Sequence, residues 1–141
     1  MPRAVTWAEA RCAEILSNGS VLSPQGLRLA RAVGVKRPEL IRVGVVQKLP
    51  LPEDPELLLA ASHTGLLGPT TAGLTLGYGI YLVSGHCSNR LLSHECRHVF
   101  QYETAGSIAA FLRSYLEQIA LVGYDDCAYE IDARAHELDV A

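Results

Sequence analysis

Only two stretches of this chain read as β-strand, and helical signals flank them on both sides. Leu40-Ile-Arg-Val-Gly-Val-Val46 is apolar and β-branched. Residues 74–83, LTLGYGIYLV, are rich in Thr, Tyr, Ile and Val, with Gly77 and Gly79 marking a kink or bulge. So little strand makes a small sheet, and helices must supply the rest of the core. The expected fold class is α+β, a small sheet packed against helices.

The helices carry their own punctuation. Thr6 with Glu9 forms a capping-box pattern and Asn18-Gly19 a stop, so residues 7–18 read as a helix. Ser23-Pro24 opens a second, ended by Gly34. Pro50, Pro52 and Pro55 break the chain into a loop, 56–61 is a short helix, and 65–71 is rich in turn residues. After a turn at 84–88, a helix spans about 89–103. Gly106-Ser107 introduces the next, which runs to Val122 before Gly123, and 128–138 is the last. Ile108, Phe111, Leu112, Tyr115, Leu116 and Ile119 recur at helical spacing and read as core packing. A chain of 141 residues fits a single domain over 1–141: N-terminal helices in 1–36, sheet and loops in 40–83, and three helices in 89–141.

Charge and composition narrow the partners. A net charge of −3 argues against a nucleic acid held through its phosphates, and the basic residues form no membrane-binding patch. No apolar run approaches a membrane span; the longest lies around Leu57–Ala61. The opening MPRAVTWAE carries an acid where a signal peptide needs apolar residues. Cys12, Cys87, Cys96 and Cys127 are dispersed and form no CxxC, which favours free buried thiols and a cytoplasmic location.

The chemistry concentrates in residues 91–100, LLSHECRHVF. His94-Glu95-Cys96-Arg97-His98 is H-E-x-x-H. Residues four apart on a helix share a face, so His94 and His98 can point at one cation, at about 2.0–2.1 Å each. Glu95 lies around the helix from His98, suited to touch a water on that cation as a general base. Leu92, Cys96, Val99 and Phe100 fall on the opposite side, leaving His94, His98 and Gln101 on a more polar stripe. Cys96 then points to the core and is structural rather than nucleophilic.

A zinc ion (Zn2+) held by two histidines needs a third protein ligand. The downstream candidates are Glu103, Glu117, Asp125, Asp126, Glu130, Asp132, His136 and Glu137. Glu130 opens the last helix beside the apolar Ile131, Ala135 and Leu138 and ranks first, followed by His136 and Asp132. Tyr124, Tyr129 and His136 lie near that helix and are candidates to stabilise an oxyanion. Gln101, one turn beyond His98, is placed to bond a backbone or ligand group.

LSHECRHVFQYETAG, followed some thirty residues later by YEIDARA, resembles the zincin metallopeptidases. The nearest branch is the gluzincins, in particular small single-domain zinc-peptidase-like proteins with HExxHxxQ…E-x-x-A. The likeness spans residues 72–136. It implies a compact zincin-like domain with His94, His98 and Glu130 as zinc ligands and Glu95 as base. It also implies that a strand within 74–83 offers an edge to an extended peptide. Related gluzincins carry an Asp four residues after the ligand Glu, orienting a histidine; here that position is Arg134. Asp132 or a backbone carbonyl would have to take over.

The expectation is a zinc-dependent hydrolase, a metallopeptidase acting on a peptide or protein substrate. The alternative is a catalytically silent zinc-binding interaction module of the same fold. A helical protein with a chance motif and no metal is the third reading.

Overall fold

The structure, a computed structural model, describes residues 2–68 and 71–139. Among the described residues, six helices accompany a three-stranded sheet, so the chain is α+β. Helix α1 spans Pro2–Asn18 and α2 spans Pro24–Ala32. A 3-10 turn at Pro38–Leu40 leads into strand β1, Arg42–Val46. Helix α3 is Pro55–Thr64, and β2 (Gly73–Leu76) and β3 (Gly79–Val83) follow. Helices α4 (Asn89–Ala105), α5 (Ile108–Val122) and α6 (Ala128–Ala135) complete the described chain.

Three expectations need correction. α1 begins at Pro2, which suits a first turn that needs no N–H, so Thr6 lies exposed inside the helix rather than capping it. Residues 74–83 are not one kinked strand but a hairpin. Leu76 pairs with Gly79 across a two-residue turn, and Gly77 at φ +64° takes the position that asks for glycine. The last helix stops at Ala135, before the expected 138. There the His136 N–H turns back to the Ala133 carbonyl, and the Leu138 N–H donates to Ser93 Oγ at 2.8 Å.

The sheet order is β1-β3-β2, with β1 parallel and β2 antiparallel to the central β3. Alternation along β3 divides the core. Ile80 and Leu82 face a cluster with Ala30, Val33, Ile41, Cys96 and Val99. Tyr81 faces the other way, into a cluster built from α1, α3 and α5. α1 presses closely on the sheet: a Cβ at Gly44 or Gly79 would stand 2.3 or 2.1 Å from Ile15. Gly79 thus serves close packing, not a bulge.

α4 runs through the middle of the fold, with Cys96 and Val99 in one cluster and Tyr102 in the other. All four cysteines are free; Cys12, Cys96 and Cys127 are buried, whereas Cys87 is exposed in the turn before α4. Among the described residues, no helix is long and apolar enough to cross a membrane.

Candidate metal centre

Helix α4 starts at Ser88, whose Oγ accepts from the Leu91 N–H at 3.0 Å. From that start, His94 and His98 fall one turn apart, their ring centroids 5.0 Å from each other. Helix α6 packs against the same face and delivers Glu130. His94 Nε2 lies 3.2 Å from Glu130 Oε1, and His98 Nε2 lies 3.1 Å from Glu130 Oε2. One ligand atom from each residue falls within 4.8 Å of the others, the only such group among the described residues.

The rings are fixed from behind. His94 Nδ1 is 2.8 Å from Glu137 Oε2, and His98 Nδ1 is 2.7 Å from Gln101 Oε1. Both Nε2 atoms therefore face Glu130. Gln101 is itself oriented, donating to the Tyr129 carbonyl at 3.0 Å and to Asp132 at 2.9 Å. Tyr115 donates to Glu130 Oε2 at 2.6 Å. The stripe expected to be merely more polar is covered: His94 is 12% and His98 9% exposed in their side chains, and Glu130 only 2%.

Burial opposes charge on all three groups, yet their mutual bonds prevail. For His98, desolvation is outweighed by the hydrogen bond to and charge of Glu130, and its pKa rises to about 9. His94 moves up too, against burial, chiefly through its bond to Glu130. Glu130 is held well below the carboxylate range, burial again overcome by bonds from both histidines. Two oriented imidazole nitrogens and one oxygen donor around a shared point fit a zinc ion. The compensating charge that a buried carboxylate requires is what a cation would supply.

Glu95 faces a different neighbour. Its Oε1 accepts from Thr75 Oγ1 at 2.7 Å, and the same hydroxyl reaches the Glu95 carbonyl at 3.1 Å. Oε2 lies where a Cβ on Gly73 would come within 2.7 Å. Glu95 is thus laid against β2, the outer strand of the sheet. An open cleft of about 800 Å³ reaches His94, Glu95 and Gly73, with His63, His86, Arg90, Asp125, Asp126 and Glu137 in its walls. A second, apolar cavity of about 360 Å³ abuts Glu95, His98 and Glu130 from inside the fold.

The other candidates separate clearly. Tyr124 borders both cavities. Burial and the nearby charges of Glu130 and Glu95 push its hydroxyl well up, keeping it protonated. Tyr129 turns its hydroxyl to Ser114 at 2.7 Å, away from the centre. His136 folds back onto the Asp132 carbonyl at 2.8 Å and takes no part in the cluster. Asp132 binds Arg97 at 2.8 Å, which holds its carboxyl below the usual range. It touches His98 only through Gln101.

Arg134 donates to the Asp125 carbonyl. His94 is supported instead by Glu137, where Asp132 or a backbone carbonyl was expected. Glu103 accepts from the Lys36 and Arg37 N–H groups and from Tyr78 Oη, far from the cluster, and Glu117 is exposed.

Sequence reasoning missed three contributors. Glu137 counted only as one downstream acid, because a straight helix to 138 would not fold it back onto His94. Tyr115 reads as core, and its hydroxyl is invisible to hydrophobic periodicity. Thr75 reads as a strand residue like any other. Comparison with family models, curated proteins and solved structures finds no match.

Proposed function

We propose that this chain is a zinc-dependent hydrolase of metallopeptidase type, cleaving an amide bond at the mouth of the 800 Å³ cleft. One observation carries the reading: His94, His98 and Glu130 converge from α4 and α6 beside a Glu95 that opens onto that cleft. A purely structural metal site has no use for such a base. Bound there, zinc would acidify a water and polarise the substrate carbonyl.

The chain's own groups do the rest. Glu95, held by Thr75, accepts the proton of the attacking water and passes it to the leaving amine. Tyr124, kept protonated and turned toward Glu130 at the cleft wall, is the donor proposed for a developing oxyanion. The outer edge of β2 carries no strand partner among the described residues and lies beside Glu95, so an extended peptide is proposed to pair along it. The cysteines, all free, suit a cytoplasmic setting.

The test is metal content per chain in protein purified without added zinc or chelator, beside His98→Ala and Glu130→Ala. About one zinc per chain in the wild type, lost in both variants, is the expected result. Amide hydrolysis abolished by Glu95→Gln with zinc retained completes it. A wild type that neither carries nor takes up zinc overturns the proposal. Full zinc without any Glu95-dependent hydrolysis would leave a silent binding module.

A further inference from the structure

The apolar cavity of about 360 Å³ has its few polar groups at one end, where Glu95, His98, Glu130 and Tyr124 meet it. From there it passes between β2, α5, α3 and α1, reaching Trp7, Pro52 and Leu57. The other hydroxyls in its wall are already committed. Thr64 Oγ1 bonds the Ala60 carbonyl at 2.8 Å, and Tyr102 bonds the Thr75 carbonyl at 3.1 Å. At the far end the Trp7 indole N–H is the one side-chain donor in the wall, and the rest (Ala4, Ala8, Pro52, Leu57) is hydrocarbon.

The volume is more than twice the roughly 150 Å³ of a cavity that holds one benzene, so a single aromatic ring would leave much of it unfilled. The outer cleft is its opposite in character, with Arg90, Asp125, Asp126 and Glu137 in the wall. The carbonyl of a substrate spanning both must sit at Glu95, with hydrocarbon on one side and polar groups on the other.

We infer that the substrate is an N-acylated amine, its unbranched acyl chain in the apolar cavity and its amine portion, a peptide or amino compound, in the polar cleft. The cleavage step rests on the hydrolase reading above; binding of the chain does not. In that step the water oxygen bonds to the acyl carbon and the C–N bond breaks. Glu95 carries the water's proton to the departing nitrogen, giving a carboxylic acid and a free amine.

Trp7, the chain's one tryptophan, lines the cavity and reports its occupancy without any activity. Straight-chain primary amides of four to twelve carbons would be titrated by Trp7 fluorescence into zinc-loaded and chelator-treated protein. Affinity should rise about fourfold per methylene until the cavity is full, in both forms of the protein. Ala8→Leu, and Ala4→Leu in case the more buried position is not tolerated, should cut the longest chains' affinity at least tenfold with zinc content unchanged.

Loss of zinc chemistry with the chain-length series intact would sink the hydrolase reading alone. A flat series would overturn the acyl-chain inference. So would 3-phenylpropanamide binding as tightly as the longest chain, which would assign the cavity to an aromatic side chain of a peptide.

Discussion

The Thr75 hydroxyl donates to Glu95 Oε1 at 2.7 Å, so an outer strand residue fixes the carboxylate that lines the cleft next to His94. Both partners are buried, and the hydroxyl also reaches the Glu95 main-chain carbonyl. A hydrogen bond to a charged group is worth about 1.5–3 kcal/mol. Thr75→Val keeps the shape and removes the bond. It should lower kcat about 10- to 100-fold with KM little changed and zinc retained, while Thr75→Ser restores most of the rate. A matched fall in both variants would show that Thr75 merely packs.

Gly73 makes a sharper demand on the same base. A Cβ there would stand 2.7 Å from Glu95 Oε2 and 2.9 Å from Cδ, so the flexible end of Glu95 must move. Displacement by about 1 Å can cost a reaction two orders of magnitude. Gly73→Ala is therefore expected to lose about 100-fold in kcat while the thermal midpoint and zinc content stay near wild type. Loss of the fold instead, seen by circular dichroism, would contradict this.

How much of the site the sequence made legible follows from the range of each interaction. His94, Glu95 and His98 sit within one helical turn, where spacing alone sets geometry. Glu130 opens the last helix as expected, but the apolar line beside it does not face inward: Ile131 and Ala135 are exposed, and Glu130 is buried with Ala133. Glu137 was not legible, since its role depends on α6 ending at Ala135 and on Leu138 docking to Ser93, a contact across 45 positions. The hairpin in 74–83 was missed for a related reason. Gly77 and Gly79 look alike in sequence, but one makes the turn and the other admits Ile15.

Glu137 holds His94 Nδ1 at 2.8 Å and is in turn held by Arg90 at 2.8 Å. Partners behind a histidine ligand typically govern 10–100-fold in metal affinity. Glu137→Ala should weaken zinc by about that factor in a chelator competition, with one zinc per chain still bound at saturation. Unchanged affinity would assign the pair to surface charge alone.

Alkaline stability tests the bond between Tyr78 and Glu103, 2.7 Å long. Burial first, then Glu103, push the Tyr78 hydroxyl up to about 12 from an ordinary 10. The folded state thus keeps its proton where the unfolded chain loses it. The bond's contribution is complete below about pH 10 and vanishes as pH climbs toward 12. Urea midpoints for wild type and Tyr78→Phe should differ most at pH 8 and converge across that window. A gap that widens with pH would reverse the assignment.

Metal removal should act unevenly, because the three proposed ligands do not sit on equally secure helices. α4 has 17 residues and is buried in both core clusters. α6 has eight, its N-cap Cys127 makes no side-chain capping bond, and its buried members are Glu130 and Ala133. A helix that short is not stable alone, so packing and the Glu130 link must hold it. With zinc gone, Glu130 would keep its bonds to Tyr115, Tyr124 and the histidines. Ligand binding to the folded state adds stability as the logarithm of one plus the ratio of free ligand to its dissociation constant. Chelation should therefore lower the thermal midpoint and speed amide exchange most over residues 128–139, leaving 95–102 nearly as protected as before. Glu130→Ala should show the fast pattern with or without zinc. Uniform loosening of α4 and α6 together would mean that the centre supports the whole fold rather than pinning its last helix.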